Sequence, residues 1–231
     1  MRRFNTFLFV MTCITLPLEG QTPIDYRFDH VRSRVTVTMP ASEIRAAEGT
    51  LAHSGDRVRA GWFGYAMLTA PRYAAHFEVF AGTEVRLAGG SPGVLLTLER
   101  GRLEAIFDAI TGEEPRMVQT PGALLAVRGT RYGVEVGRGG NADLLVFEGV
   151  VEVRSPLRPE PLFVRAGETC HYGTNTAPAS MPMSRGMTEE MWRQHGAGND
   201  GMTPRDGGMD GMSRPQGTSP RPPMSGSGHH G

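Results

Sequence analysis

Not one lysine occurs in this chain, and all 24 of its basic side chains are arginine. Schiff-base chemistry and the phosphate-binding lysine loop are thereby excluded. Acidic residues also number 24, so no whole-protein field draws in nucleic acid or an anionic membrane. Cysteine is nearly missing. Cys13 lies in the opening apolar stretch and Cys170 stands alone afterwards, so removal of that stretch would leave no intramolecular disulfide. Cys170 then reads as a buried small hydrophobe. Catalytic vocabulary is equally thin. There is no Gly-x-Ser-x-Gly elbow and no His-x-His cluster, and His30, His53, His76 and His171 are isolated from one another. The paired acids Glu113 and Glu114, beside Gly112 and Pro115, read as a solvated pair at a turn, and nothing in the sequence selects them or Glu99 with Glu104 as a catalytic pair.

The first residues carry a targeting pattern. Arg2 and Arg3 precede an apolar run from Phe4 to Leu18 and a small Gly20, as in a secretory signal of residues 1–20. That run is too short and too interrupted for a membrane span, so no transmembrane anchor is expected after cleavage. Lipidation at Cys13 is the alternative, although Thr12 fits a lipoprotein box poorly.

From Ile24 to about Thr176 the chain reads as many short strands. Val134, Val136, Leu144, Val146, Val151 and Val153 recur at every second position, the period that turns one face of a strand towards a core. Gly133, Gly137, Gly139, Gly140 with Asn141, and Gly149 are expected where the chain has to reverse. Further strands are expected at Val35–Met39, Tyr65–Thr69, His76–Phe80, Val85–Leu87, Val94–Leu98, Leu103–Phe107, Met117–Gln119, Leu124–Val127, Arg131–Val136, Leu144–Phe147, Val150–Val153 and Leu162–Val164. The fold class is therefore all-β, a β-sandwich or jelly roll with solenoid-like coiling as the second choice. The echo of Leu98–Ala105 in Val146–Val153 superimposes Gly101 on Gly149, but the glycine spacing breaks in mid-chain, which a strict solenoid would not allow. Two short helices are expected, at Ser42–Glu48 and at Thr188–His195 with Thr188 as cap and Met187, Met191 and His195 in one stripe; the second is too short to persist alone.

Composition changes near the end. Residues 181–231 hold eleven glycines, six prolines and eight of the thirteen methionines, with no valine or isoleucine. Such a segment cannot offset its chain entropy by burial, so 177–231 is expected to be a disordered tail. Its closely spaced thioethers, Met181 with Met183, Met187 with Met191 and Met209 with Met212, suit Cu(I), and His229 and His230 suit Cu(II). Composition drift explains the same residues without any metal, and no cofactor is expected.

One constellation has the character of a motif: Thr120 and Pro121, then Val127, Arg128, Gly129 and Thr130, then Glu148, Gly149 and Val151–Val153, then Ala166–Glu168. Weaker matches run upstream from Gly55 to Arg59, from Tyr65 to Leu68 and from Gly82 to Leu87. With these residues the stretch from Gly49 to Tyr172 resembles the FecR domain family. The resemblance implies a periplasmic β module that takes part in envelope signalling by binding another protein, in its best-known context as a regulator of a sigma factor. Residues 21–48 would add a strand and a short helix to a FecR-like domain of 49–176. Arg128 admits two readings. Flanked by Val127 and Gly129 it could tie two layers together through Glu148 or Glu152, or it could mark a partner-binding edge. The leading expectation is a periplasmic or secreted, non-enzymatic binding or scaffolding module whose partner is another envelope protein, with no nucleic acid involved. The alternatives are a β-sandwich metalloenzyme or hydrolase, or a Met-rich copper-binding envelope protein.

Overall fold

In a computed structural model, residues 23–88, 92–108 and 116–194 are described. The expected signal segment with Cys13, the Glu113–Glu114 pair, His195, and Met209, Met212, His229 and His230 lie outside them.

The alternating apolar residues do form strands. In chain order these are β1 (Asp25–Arg32), β2 (Val35–Met39), β3 (Ser42–Arg45), β4 (Leu51–His53), β5 (Arg57–Ala60), β6 (Tyr65–Ala70), β7 (Ala75–Val79), β8 (Glu84–Leu87) and β9 (Val94–Phe107). There follow β10 (Arg116–Gln119), β11 (Leu124–Val127), β12 (Arg131–Val136), β13 (Ala142–Glu148), β14 (Val150–Arg154), β15 (Leu162–Arg165), β16 (Glu168–Tyr172) and β17 (Ala179–Pro182), and then the helix α1 (Glu189–Gln194).

Among the described residues hydrogen bonding joins the 17 strands into one open sheet without barrel closure. It comprises two ladders. One runs β4-β1-β6-β7-β9-β12-β13-β16-β17. The other runs β3-β2-β5-β8-β9-β10-β11-β14-β15. Among the described strands only β9 and β10 pair in parallel. The long β9 belongs to both ladders, its first half to the second and its last half to the first, so the two stretches expected as separate strands are one. The inner faces of the ladders share one core that includes Phe28, Phe77, Leu103, Tyr132 and Val146 from the first and Val37, Val58, Leu96, Leu125 and Val151 from the second. Two tyrosines bond across it. The Tyr26 hydroxyl donates to the Leu95 carbonyl, and the Thr120 and Tyr172 hydroxyls are hydrogen-bonded to each other at 3.2 Å.

The chain winds from ladder to ladder, and glycine turns the corners. Gly101 is the pivot of β9 at φ +90°. A Cβ there would lie 2.5 Å from the Thr83 Cα, and the Thr83 hydroxyl bonds both the N–H and the carbonyl of Arg102 where the ladder bends. Gly149 turns the corner from β13 to β14 at φ +77°. The sequence echo that superimposed these two glycines thus reflects equivalent places in the coil.

Two expectations need correction. Ser42–Glu48 is not a helix. Its first four residues form β3, paired with β2 so that Ile44 faces Val37, because two turns of helix cannot outweigh a cross-strand ladder. The ordered chain also continues beyond residue 177. β17 pairs with β16, and α1 forms with Thr188 accepting the Met191 N–H at 3.2 Å, the cap read from the sequence. The edge strands β3, β4, β15 and β17 span only three or four residues each, which limits strand addition as a docking mode. Among the described residues no helix is long and apolar enough to cross a membrane.

Candidate protein-docking face

On the outer face of the first ladder, register places Met67, Glu78, Glu104, Gly133, Leu145 and Thr169 in one row across adjacent strands. Two carboxylates therefore stand directly opposite each other, which would be unfavourable without a cation between them. Arg193 of α1 supplies it. Its Nε and Nη2 donate to the two oxygens of Glu104 at 2.7 and 2.9 Å, and Nη2 also reaches Glu78 at 3.1 Å and Glu189 at 3.1 Å. Glu104 is completely buried under the helix. Burial holds its carboxyl above the usual carboxylate range against the opposing pull of Arg193, whereas the hydrogen bond to Glu104 raises the Arg193 guanidinium further.

The neighbouring position in the row is empty of side chain, and α1 uses it. A Cβ on Gly133 would sit 2.7 Å from the Trp192 indole. Trp192, 5% exposed, lies edge-on to Phe80 at 5.4 Å and tilted to Phe147 at 6.0 Å. Arg102 is inserted beside it, with its guanidinium carbon 4.7 Å from the Trp192 ring and 4.9 Å from Phe80, and its Nη2 donates to the Arg193 carbonyl at 3.1 Å. Burial lowers the Arg102 pKa, with Glu135 opposing. Arg131 adds bonds of 3.3 Å to both oxygens of Glu189. At the edge of the site the Tyr65 hydroxyl donates to Glu78 at 2.9 Å, and burial followed by that carboxylate raises its pKa.

The motif residues lie elsewhere and serve the corners. Val127 ends β11 with its side chain in the core. Arg128 is exposed, not buried, and among the described residues no bond from it ties the layers together; Glu148 approaches Arg131 instead, at 4.0 Å, and Glu152 pairs with Arg154 at 2.7 Å. The reason is positional, since Arg128 lies just past β11 where the chain leaves the ladder. Gly129 and Thr130 complete that corner, and Gly149 packs into it; a Cβ on Gly149 would meet the Gly129 carbonyl and the Thr130 methyl at 2.6 Å each. Thr120 is buried and donates to the Ala123 carbonyl at 3.0 Å, beside an exposed Pro121.

The single histidines stay apart, and three bond carboxylates of their own: His30 to Glu48 at 2.7 Å, His53 to Asp25 at 2.9 Å and His171 to Asp143 at 2.8 Å. His76 bonds Thr69 at 2.9 Å. Among the described residues no three His, Cys, Asp or Glu side chains gather as metal ligands. Met181 is exposed on β17 and Met191 on α1, and Met183 and Met187 are partly covered. Cys170 is buried in the core.

No family model and no curated protein matches the chain. Two crystal structures of a candidate anti-sigma factor from Parabacteroides distasonis ATCC 8503, at 1.65 and 2.50 Å resolution, are similar to it in structure. Both have 18% identity, a TM-score of 0.46 and a match over 55% of this chain. The match spans 60% of the length of those chains.

Proposed function

We propose that the chain is a non-catalytic, FecR-like signalling module of the cell envelope, exported by its opening segment, and that it acts by docking a short helical segment on the outer face of the first ladder. The observation that carries this reading is α1 itself. Six residues of helix do not persist alone in water, yet here Trp192 fills the hollow over Gly133 and Arg193 bridges two strand carboxylates. A sheet face with an aromatic socket and a buried bidentate ion pair has the features of a protein-recognition site.

The attachment is suited to exchange. Glu104 faces outward, so departure of α1 admits water to it and the full penalty of an uncovered buried charge does not apply. A tethered segment acts at an effective concentration on the order of millimolar. A partner with a comparable Trp-Arg segment and a somewhat larger contact can therefore displace it.

The test uses the full chain. In Trp192→Ala/Arg193→Glu the face should be vacated, and a fluorescent peptide of residues 187–195 should bind this variant but not the wild type, as read by anisotropy. Adding Glu104→Ala should abolish that binding. Equal, unsaturable binding by all three proteins would remove the proposal.

A further inference from the structure

Trp62 and Phe63 are 77% and 87% exposed, although they are adjacent, aromatic and held in a tight turn. The turn is built rather than loose. The Gly61 N–H bonds the Arg34 carbonyl at 2.9 Å, and the Gly64 N–H bonds the Gly61 carbonyl at 2.9 Å. A Cβ on Gly64 would sit 2.5 Å from the Arg34 carbonyl, so glycine lets the turn press against the β1–β2 corner and leaves the two aromatic side chains only the outward direction. Trp62 also borders a cleft of about 430 Å³. Arg59, Arg100, Arg102 and Arg138 line that cleft, against the single carboxylate of Glu135. Glu84, the cross-strand neighbour of Arg59, is engaged by Arg57 at 3.6 Å and by Arg100 at 3.2 Å. Deeper in, Arg102 is 2% exposed, and its buried Nε has no acceptor among the described residues.

We propose that this corner docks the domain onto an anionic phospholipid surface, with headgroup phosphates in the arginine cleft and Trp62 and Phe63 at the depth of the acyl boundary. The charge balance of the whole chain conceals a local excess of guanidinium, and guanidinium pairs with phosphate through two parallel hydrogen bonds. The apolar part consists of two side chains on a convex tip. That is too little for the roughly 800 Å² per partner which a stable protein interface buries. It is what an interfacial anchor requires, namely aromatic rings at headgroup level within a basic surround.

The full-length protein is sedimented with phosphatidylcholine vesicles with and without phosphatidylglycerol. Binding should require phosphatidylglycerol and weaken as salt rises. Arg59→Ala should weaken it about fivefold, the share of one surface arginine. Trp62→Ala/Phe63→Ala should weaken it about tenfold or more, with unchanged circular dichroism because both residues are exposed. Of the two tryptophans Trp192 is buried, so a blue shift of emission on vesicle addition that this double variant lacks would place Trp62 in the lipid. Several results would overturn the idea: absence of vesicle binding at low salt, binding indifferent to phosphatidylglycerol, or wild-type binding by the double variant, which would assign it to the apolar opening segment. Quenching of Trp62 by inorganic phosphate without vesicle binding would make the cleft a site for a small anion. Capture of a soluble acidic protein through the same residues, again without vesicle binding, would make it a protein interface.

Discussion

Gly149 and Arg128 belong to the same motif and carry opposite consequences. A side chain on Gly149 needs both a left-handed backbone and space that the Gly129 carbonyl and Thr130 already fill. Gly149→Ala should therefore cost about 2 kcal/mol or more, read as a drop in the chemical denaturation midpoint. Arg128 is exposed past the end of its strand, and Arg128→Ala should change stability by no more than about 0.5 kcal/mol. Cys170 is a third case. Burial pushes its thiol up to about 11, so in the folded protein it should resist a thiol reagent at neutral pH and become reactive in denaturant. The corner glycines Gly101 and Gly149 were legible in the sequence because positive φ selects residue type directly, whereas Gly133, expected at a reversal, lies inside β12, where the space over it and not its backbone requires glycine. The exposure of Arg128 was not legible, since its flanking Val127 and Gly129 read equally well as strand interior or as strand end.

Among the elements, α1 shows most clearly what local sequence can and cannot convey. Its cap at Thr188 and its extent are written in the residues, whereas its docking depends on a row formed by strands distant in sequence, with Glu78, Glu104 and Gly133 brought together by register alone. No spacing rule could have paired Glu104 with Arg193. The same dependence explains why Ser42–Arg45 pairs as a strand and why two expected strands merge into β9. Gly133 offers a clean way to detach α1. Valine suits an extended strand position, but its side chain would collide with the indole. In Gly133→Val, residues 183–194 should lose amide protection and become open to protease, while the two ladders keep theirs. Emission of Trp192 should shift to the red in the same variant. Retained protection across α1 would mean that the indole can move aside, and that the hollow over Gly133 does not hold the helix.

Taken as one body, the domain relies on a core shared by two ladders, and three phenol hydroxyls and one thiol buried in it make that core sensitive to alkali. Tyr26, Tyr132, Tyr172 and Cys170 all point inward from the first ladder and are completely buried. Burial raises the pKa of each. Their ordinary values are 10.0 for the tyrosines and 9.0 for the thiol, and the thiol is held at about 11 in the fold. In the unfolded chain these groups ionise first. A raised folded value means that the unfolded state releases protons over a range where the folded state keeps them. Stability is then fully present below about pH 9 and declines as pH rises towards and through the folded values. Each group adds a slope of about 1.4 kcal/mol per pH unit once its unfolded form is ionised. By pH 11 the four together remove on the order of 7 kcal/mol, comparable with the whole stability of many domains. Denaturation midpoints should accordingly be flat from neutrality to about pH 9 and collapse near pH 11. Cys170→Ala should move the onset of the decline upward by about one unit, because the thiol is the first of the four to titrate in the unfolded chain. A midpoint that stays level to pH 11 would show that water reaches these groups, and that the inner faces of the two ladders do not seal against each other.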